Sequence, residues 1–306
     1  MDLFWRPISL FSIILLTSYF KRHGIFPEES GTVITKVALN FTIPATILCS
    51  FQDYSSNMHF ASTALLFLTF TLLSLGLFSL LYLKSGEDLR MFAMMNTTGY
   101  NIGSFALPLI RCFYGDSGVI VACMADLGNS VMVNGGTYAL TCSLLNRKSD
   151  SRGFLRDLIK HLICSPPFVA YLILLPFLAF KWHLPAIVNT FLSPVADANS
   201  FVCMAMVGFS MEGRLDWAEI RKIAPLLVQR FCFGAITAVC TYCFLPFDQM
   251  TRQVLALLCI SPISGLVIVN TRRYGGDIAR SGLLVAASIF AGMVGMLILA
   301  SLFQFF

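Results

Sequence analysis

The chain alternates between long apolar stretches and short polar ones. Several apolar stretches contain no Asp, Glu, Lys or Arg over a length that exceeds the ~18 residues typical of a membrane-spanning helix. The polar stretches between them are short and carry most of the charge. The pattern therefore predicts ten membrane-spanning helices, which we number as spans one to ten: 3–20, 32–51, 60–83, 91–111, 117–145, 158–180, 187–211, 223–247, 253–271 and 281–305.

Composition excludes a soluble protein. Of the 306 residues, 57% are hydrophobic and only 12% are charged, whereas a soluble domain usually carries about 25% charged residues. We therefore expect an all-α polytopic membrane protein, embedded in the lipid bilayer of the cell (plasma or inner) membrane.

The positive charges lie mainly in alternate loops. Fifteen of the 21 Lys and Arg fall in loops on one predicted side of the membrane and only four in loops on the other. By the positive-inside rule the first side is cytoplasmic, so both termini are expected on the non-cytoplasmic side. The net charge of +5 is scattered rather than gathered on one face, which argues against a nucleic-acid partner.

A polar loop divides the chain near its middle. We expect a first five-helix repeat at 1–145, a cytoplasmic linker at 146–157 and a second five-helix repeat at 158–306. Because five is an odd number, the second repeat enters the membrane in the opposite orientation, as in transporters built from inverted repeats. The similar stretches FYGDSG and RYGGDIARSG, which follow spans four and nine, support this division.

Spans four and nine carry clusters of helix-breaking residues, in NTTGYNIGSFALP and SPISG. Proline removes a backbone donor and glycine weakens a helix. Unpaired backbone groups are tolerated at membrane depth only where protein or a water-filled cavity covers them. The matched position of the two clusters favours a binding site at broken helices, where half-helix N-termini suit an anion such as a carboxylate. Close helix packing through Gly99 and Gly103 is the alternative.

These motifs resemble the auxin efflux carrier family, which includes the plant PIN-FORMED auxin exporters and bacterial transporters. The family's fourth-span motif is Asn-x-Gly-x-x-Gly-x-Pro followed by an aromatic residue and glycine. Here Ala106 replaces the second glycine. The residues that match are Asn101, Gly103, Pro108, Tyr114 and Gly115 in span four, and Pro262 and Tyr274 in and after span nine.

The resemblance runs over nearly the whole chain and implies a fold in which spans four and nine cross as broken helices. Pro108 and Pro262 would be the crossover positions, with Asn101 and Gly103 beside the substrate. The resemblance also implies an elevator-like movement of one domain against a scaffold. Its substrates would be aromatic acids such as auxins, or small dicarboxylates and hydroxy acids.

Other polar residues inside the spans are candidates for the site. Asp126 in span five, with Asn129 on the same helix face, either takes part in ion or proton coupling or accepts hydrogen bonds from the broken span. Asp197 is a second coupling candidate, with a helix cap as the alternative. Ser261 and Ser264, which flank Pro262, are expected to contact substrate.

Arg230 lies deep in span eight, where a charge is costly. Two interpretations remain open from the sequence. The arginine pairs with an acid on another helix, or it attracts anions.

The leading functional hypothesis is a secondary active transporter of a small organic anion. The chain has no phosphate-binding GxxxxGK[ST] loop, which argues against ATP-driven transport, and no catalytic constellation, which argues against an enzyme. A channel or a receptor that uses the same cavity is the alternative. No cofactor and no metal are expected. A proton or a sodium ion as coupling ion and a homodimeric assembly are both compatible with the sequence.

Overall fold

The computed structural model describes residues 2–27, 29–51, 60–145, 159–160, 162–180, 182, 184–210 and 217–305. The predicted linker at 146–157 lies outside them. Regular structure in the described residues is helical, without strands. Six helical segments there are long and apolar enough to cross a membrane: Ser30–Ser50, Ala61–Leu81, Ile102–Leu144, Ala186–Ser210, Glu219–Phe244 and Ile278–Phe303.

Fourteen α-helices have both ends within the described residues. In chain order they are α1 (Asp2–Arg22), α2 (Ser30–Val37), α3 (Ile43–Ser50), α4 (Phe60–Leu81), α5 (Glu87–Thr97), α6 (Leu107–Val131), α7 (Thr137–Leu144), α8 (Pro166–Ala179), α9 (Ala186–Asp197), α10 (Asn199–Ser210), α11 (Trp217–Phe244), α12 (Gln249–Cys259), α13 (Leu266–Arg273) and α14 (Ile278–Phe305).

Three wider π-helical turns join consecutive helices. They are Ala38–Thr42 between α2 and α3, Ile102–Ala106 before α6, and Met132–Gly136 between α6 and α7. In two of these places a proline follows the π-turn closely, Pro44 in the first case and Pro108 in the second. A π-turn rearranges the local hydrogen bonding, which lets the helix accommodate a residue that lacks a donor.

The chain folds into two compact units, each made of segments from both halves of the sequence. Unit 1 contains Met1–His59, Ile102–Cys123 and Ile163–Gly213. Within it α1 packs closely on α10. A side chain at Gly208 would lie 1.9 Å from the Thr17 hydroxyl oxygen, so only glycine permits this approach.

Unit 2 contains Phe60–Asn101, Met124–Leu162 and Arg214–Phe306. Two glycines bring helices close to the end of α12. A Cβ at Gly234 of α11 would lie 2.5 Å from the carbonyl oxygen of Cys259, and one at Gly292 of α14 would lie 2.9 Å from the ring of Pro262. The last turn of α12 and the residues that follow it are therefore fixed by backbone packing from both helices.

The interruption of span four differs in position from the expectation. The helix ends at Thr97 and the chain leaves helical geometry at Thr98, whereas Pro108 is the second residue of α6. The break is therefore at 98–101 rather than at Pro108. The π-turn before α6 accounts for the difference, because the helix continues past Pro108 and leaves helical geometry only at Gly115, where it is kinked (φ 62°).

Candidate functional site

Two breaks in unit 2 form the candidate site. The first begins after α5, where Thr98 is extended (φ −92°, ψ 134°) and Gly99 has φ of 99°. A side chain at Gly99 would also lie 2.7 Å from Val133, so both conformation and space require glycine there. The second break separates α12, which ends at Cys259, from α13, which begins at Leu266.

The two breaks pair with each other as a short piece of antiparallel β-structure. Tyr100 and Ile263 form an isolated bridge. The backbone N–H of Asn101 donates to the carbonyl oxygen of Pro262 at 2.8 Å. Pro262 lacks a donor, so it can serve here only as an acceptor. Predicted residues from spans four and nine are thus in direct contact, although Pro108 takes no part in this pairing.

The side-chain amide of Asn129 holds Tyr100 in the manner of a neighbouring strand. Its Oδ1 accepts from the Tyr100 N–H at 2.9 Å, and its Nδ2 donates to the Tyr100 carbonyl oxygen at 2.9 Å. Nδ2 also donates to Oδ1 of Asp126 at 3.0 Å. Asn129 is 2% exposed. Asn129 therefore satisfies the backbone groups that the break leaves unpaired, and Asp126 orients it.

Serine hydroxyls serve the second break. The N–H of Ile263 donates to Oγ of Ser288 at 3.1 Å, and Ser288 donates onward to the carbonyl oxygen of Val285 at 2.7 Å. The N–H of Leu266 donates to Oγ of Ser264 at 3.4 Å, at the start of α13. Ser261 is 1% exposed, and its Oγ has no hydrogen-bond partner among the described residues.

A second buried network ties α5, which precedes the first break, to α13 and α14, which follow the second. Asn96 of α5, Thr271 of α13 and Ser281 of α14 share hydrogen bonds, with Asn96 Nδ2 donating to Thr271 Oγ1 at 3.1 Å. All three side chains are fully buried. Because each supplies both a donor and an acceptor, the network fixes the three helices in one arrangement.

The helix that leads into the second break has a charged cap. Asp248 precedes α12 and accepts from the backbone N–H of Thr251 at 3.0 Å and from its hydroxyl at 2.6 Å. Partial burial raises the pKa of Asp248, but the hydrogen bonds from Thr251 and the nearby Arg252 outweigh it and hold the pKa below its ordinary value. The ionised carboxylate stabilises the start of α12.

The predicted site residues fall into two sets. The structure brings together the set that lies in unit 2, whose members share the two breaks and the helix beside them: Asn101, Asp126, Asn129, Ser261, Pro262 and Ser264. Gly103, Pro108 and Asp197 belong to unit 1. Gly103 lies in the π-turn before α6, and Pro108 in the first turn of α6.

Asp197 takes part in a surface ion pair of unit 1. Its Oδ1 lies 3.3 Å from Nη2 of Arg111, which also contacts Asp116 at 3.1 Å through Nε. The side chain of Asp197 is 69% exposed. It is the last residue of α9, and Ala198 separates it from the start of α10.

Three residues that shape the breaks were not singled out from the sequence. Tyr100 lies inside the span-four motif, next to Asn101, so its place in the break could have been inferred from that motif. Asn96 is the first residue of the same cluster, NTTGYNIGSFALP, and could have been inferred in the same way, whereas Ser288 had no such signal. Ser288 is one small polar residue in the 28-residue apolar helix α14, and nothing in its neighbourhood distinguishes it.

Comparison with known proteins points to membrane transport. The family described as "Membrane transport protein" matches residues 4–148. The uncharacterized transporter YfdV of Escherichia coli (strain K12) is 22% identical over 84% of this chain and 85% of that protein. The uncharacterized transporter MJ1031 of Methanocaldococcus jannaschii is 24% identical over 91% of this chain and 90% of that protein. These matches confirm the resemblance to the auxin efflux carrier family predicted from the motifs, and they support a transporter role for this multi-pass membrane protein.

Proposed function

We propose that the protein is a secondary carrier that moves a small organic anion, a carboxylate, across the cell membrane by alternating access. The observation that supports this most directly is the pairing of the two breaks at Tyr100 and Ile263. A transporter places its substrate where discontinuous helices expose backbone ends away from lipid. In unit 2 the helix ends at the two breaks lie beside polar side chains that the sequence predicts as site residues.

The chemistry of the second break suits an anion. The start of α13 carries the positive end of its helix dipole, and Ser264, which accepts from the Leu266 N–H, lies just before it. Ser261 adds a buried hydroxyl that has no partner among the described residues. We propose Asn101, Ser261, Pro262 and Ser264 as substrate contacts.

The residues that face the first break have a supporting role in this proposal. Asn129 uses both ends of its amide on Tyr100, so we propose that it shapes the site and reaches the substrate only through the backbone it holds. Asp126 orients Asn129 and is a buried acid at the same place. We propose it, rather than the exposed Asp197, as the residue that senses a coupling proton or sodium ion.

The wider organisation that we propose is ten spans in two inverted repeats, with both termini on the non-cytoplasmic side. The similar polar clusters of spans four and nine and the alternation of positive loops support it. A homodimer is compatible with this arrangement. Because the relatives are named as transporters, a transporter is favoured over a membrane-embedded enzyme.

Counterflow in proteoliposomes tests the proposal. Vesicles loaded with unlabelled malonate, lactate or an aromatic acid are diluted into the same labelled acid at low concentration. A carrier accumulates label transiently, in a saturable manner, and Asn101→Ala reduces the rate. Asn134→Ala serves as the control, since among the described residues the Asn134 amide donates to a carbonyl of the preceding turn, that of Ser130. Non-saturable flux without accumulation would indicate a channel and refute the carrier mechanism.

A further inference from the structure

A buried cation without hydrogen-bond acceptors lies beside the first break. Arg230, in the middle of α11, is 1% exposed. None of its three guanidinium nitrogens has a hydrogen-bond partner among the described residues, and no ion pair of Arg230 is found in that part of the chain. A guanidinium remains charged at any accessible pH and carries five N–H donors. Burying such a group without acceptors is strongly unfavourable.

The described residues around Arg230 stabilise its positive charge but offer no hydrogen-bond acceptors to its N–H groups. Its guanidinium carbon lies 4.3 Å from the centre of the Tyr100 ring, a cation–π contact. This contact uses the face of the guanidinium and leaves the N–H groups, which lie in its plane, unpaired. Nη1 lies 3.3 Å from the position that a Cβ at Gly234 would occupy. The carbonyl oxygen of Cys259 lies 2.5 Å from that same position. The negative end of the α12 dipole is therefore close to the charge.

The same side chain is connected to the candidate site through Tyr100. The backbone of Tyr100 pairs with Ile263 in the crossing of the two breaks, and its ring covers the guanidinium. Asn129 fixes the backbone of Tyr100 on the opposite edge. A movement of the break that displaces this ring would therefore expose the guanidinium to whatever occupies the site.

We propose that Arg230 is the cationic ligand of the transported anion and binds its carboxylate group. This inference rests on the proposed function and names a residue for the same site. A carboxylate supplies acceptors in the planar, bidentate geometry that a guanidinium requires. The covering ring of Tyr100 implies that the carboxylate reaches Arg230 after the ring moves, so binding and a change at the first break are coupled.

The test compares ligand-dependent thermal stabilisation of the purified full-length protein in detergent. Malonate, lactate and an aromatic carboxylate are titrated, with chloride at equal ionic strength. The variants are Arg230→Met, which removes the charge at similar volume, and Arg230→Lys, which keeps it. Arg252→Met is the matched control, because Arg252 also lies over a tyrosine ring, that of Tyr242, but donates to the Tyr242 carbonyl at 3.2 Å.

We expect wild type and Arg252→Met to be stabilised by one carboxylate class with the same half-saturating concentration. In Arg230→Met that concentration should rise at least tenfold, and in Arg230→Lys by less. The unfolding temperature of Arg230→Met without ligand should equal or exceed that of wild type, because a buried charge without acceptors has been removed. If Arg230→Met fails to fold, Arg230→Lys alone must still show weakened binding.

Three outcomes would overturn the assignment. Unchanged half-saturation in Arg230→Met would exclude Arg230 as a ligand while leaving the carrier proposal intact. Equal stabilisation by chloride would show a general inorganic-anion site instead of a carboxylate site. Lack of stabilisation of wild type by every carboxylate would count against the proposed anion substrate itself, and the Arg230 assignment would fail with it.

Discussion

Replacing Asn129 with alanine should destabilise unit 2 at the first break. The asparagine amide is the hydrogen-bond partner of both the N–H and the carbonyl of Tyr100, and alanine offers neither a donor nor an acceptor. Asn129 is 2% exposed and Tyr100 is also 2% exposed, so water has little access to the groups left behind. The side chain of Asp126 would lose its donor from Asn129 as well.

The expected magnitude follows from the number of groups left unpaired. A buried polar group that loses its partner costs about 1–3 kcal/mol, and two backbone groups are affected, so the free energy of unfolding should fall by about 2–6 kcal/mol. For a domain of this size 1 kcal/mol corresponds to about 2–4 °C in the unfolding temperature. The variant should therefore unfold at least about 4 °C below wild type.

The assay is thermal unfolding of the purified protein in detergent at one fixed heating rate, followed by thiol exposure or intrinsic fluorescence. The control is Asn134→Ala, which removes an amide of the same kind nearby. In the described part of the chain Asn134 donates to the Ser130 carbonyl four residues earlier, so its loss should change the free energy of unfolding by less than about 1 kcal/mol. Equal shifts for the two variants would refute the role assigned to Asn129.

Two further predictions concern the helices that frame the second break. Gly234→Ala places a methyl group 2.5 Å from the carbonyl oxygen of Cys259 and should lower the free energy of unfolding by about 1–3 kcal/mol. Gly76→Ala is the control, because no atom of the described residues lies within 4 Å of its added methyl group. In the same assay it should be neutral or slightly stabilising. The pKa of Asp248 is lowered on folding, so its capping contribution is complete above the unfolded-state pKa of about 4 and is lost as pH falls through the lower folded-state value. Asp248→Ala should cost about 0.5–2 kcal/mol at pH 7 and less at low pH, and an equal cost at both pH values would contradict the pKa shift.

The broad architecture followed from the sequence because it depends on local properties. Uncharged stretches predicted helices that the structure contains, such as α4 and α14, and the interruption of span nine lies at Pro262 as its composition suggested. The position of the break in span four was predicted at Pro108 and lies at Thr98–Asn101. Proline and glycine both weaken helices. Only the tertiary structure decides which of them interrupts the helix and which the helix accommodates through a π-turn.

The site was predictable only in part, for a related reason. Asn101, Pro262 and the Asp126–Asn129 pair stood out as polar or helix-breaking residues within apolar spans. Their partners did not, because a backbone carbonyl carries no sequence signal and Ser288 is a common residue in a helix. Which groups meet across 160 residues of chain is a property of helix packing.

The π-turn at Ala38–Thr42 has a consequence for how the helix around it tolerates change. An α-helix advances 100° per residue, and a π-turn accommodates an extra residue in one turn, so it shifts the phase of every side chain that follows. The helix before it has no buried residues, whereas α3 buries most of its length, including Ile43 and Ile47. Deleting one residue within 38–42 would remove that extra residue and restore regular α-helix, so the buried face of α3 would keep its direction, whereas the same deletion in a regular helix would rotate it by about 100°. This segment should therefore tolerate the loss of one residue at 38–42 better than the loss of one residue within α2 or α3.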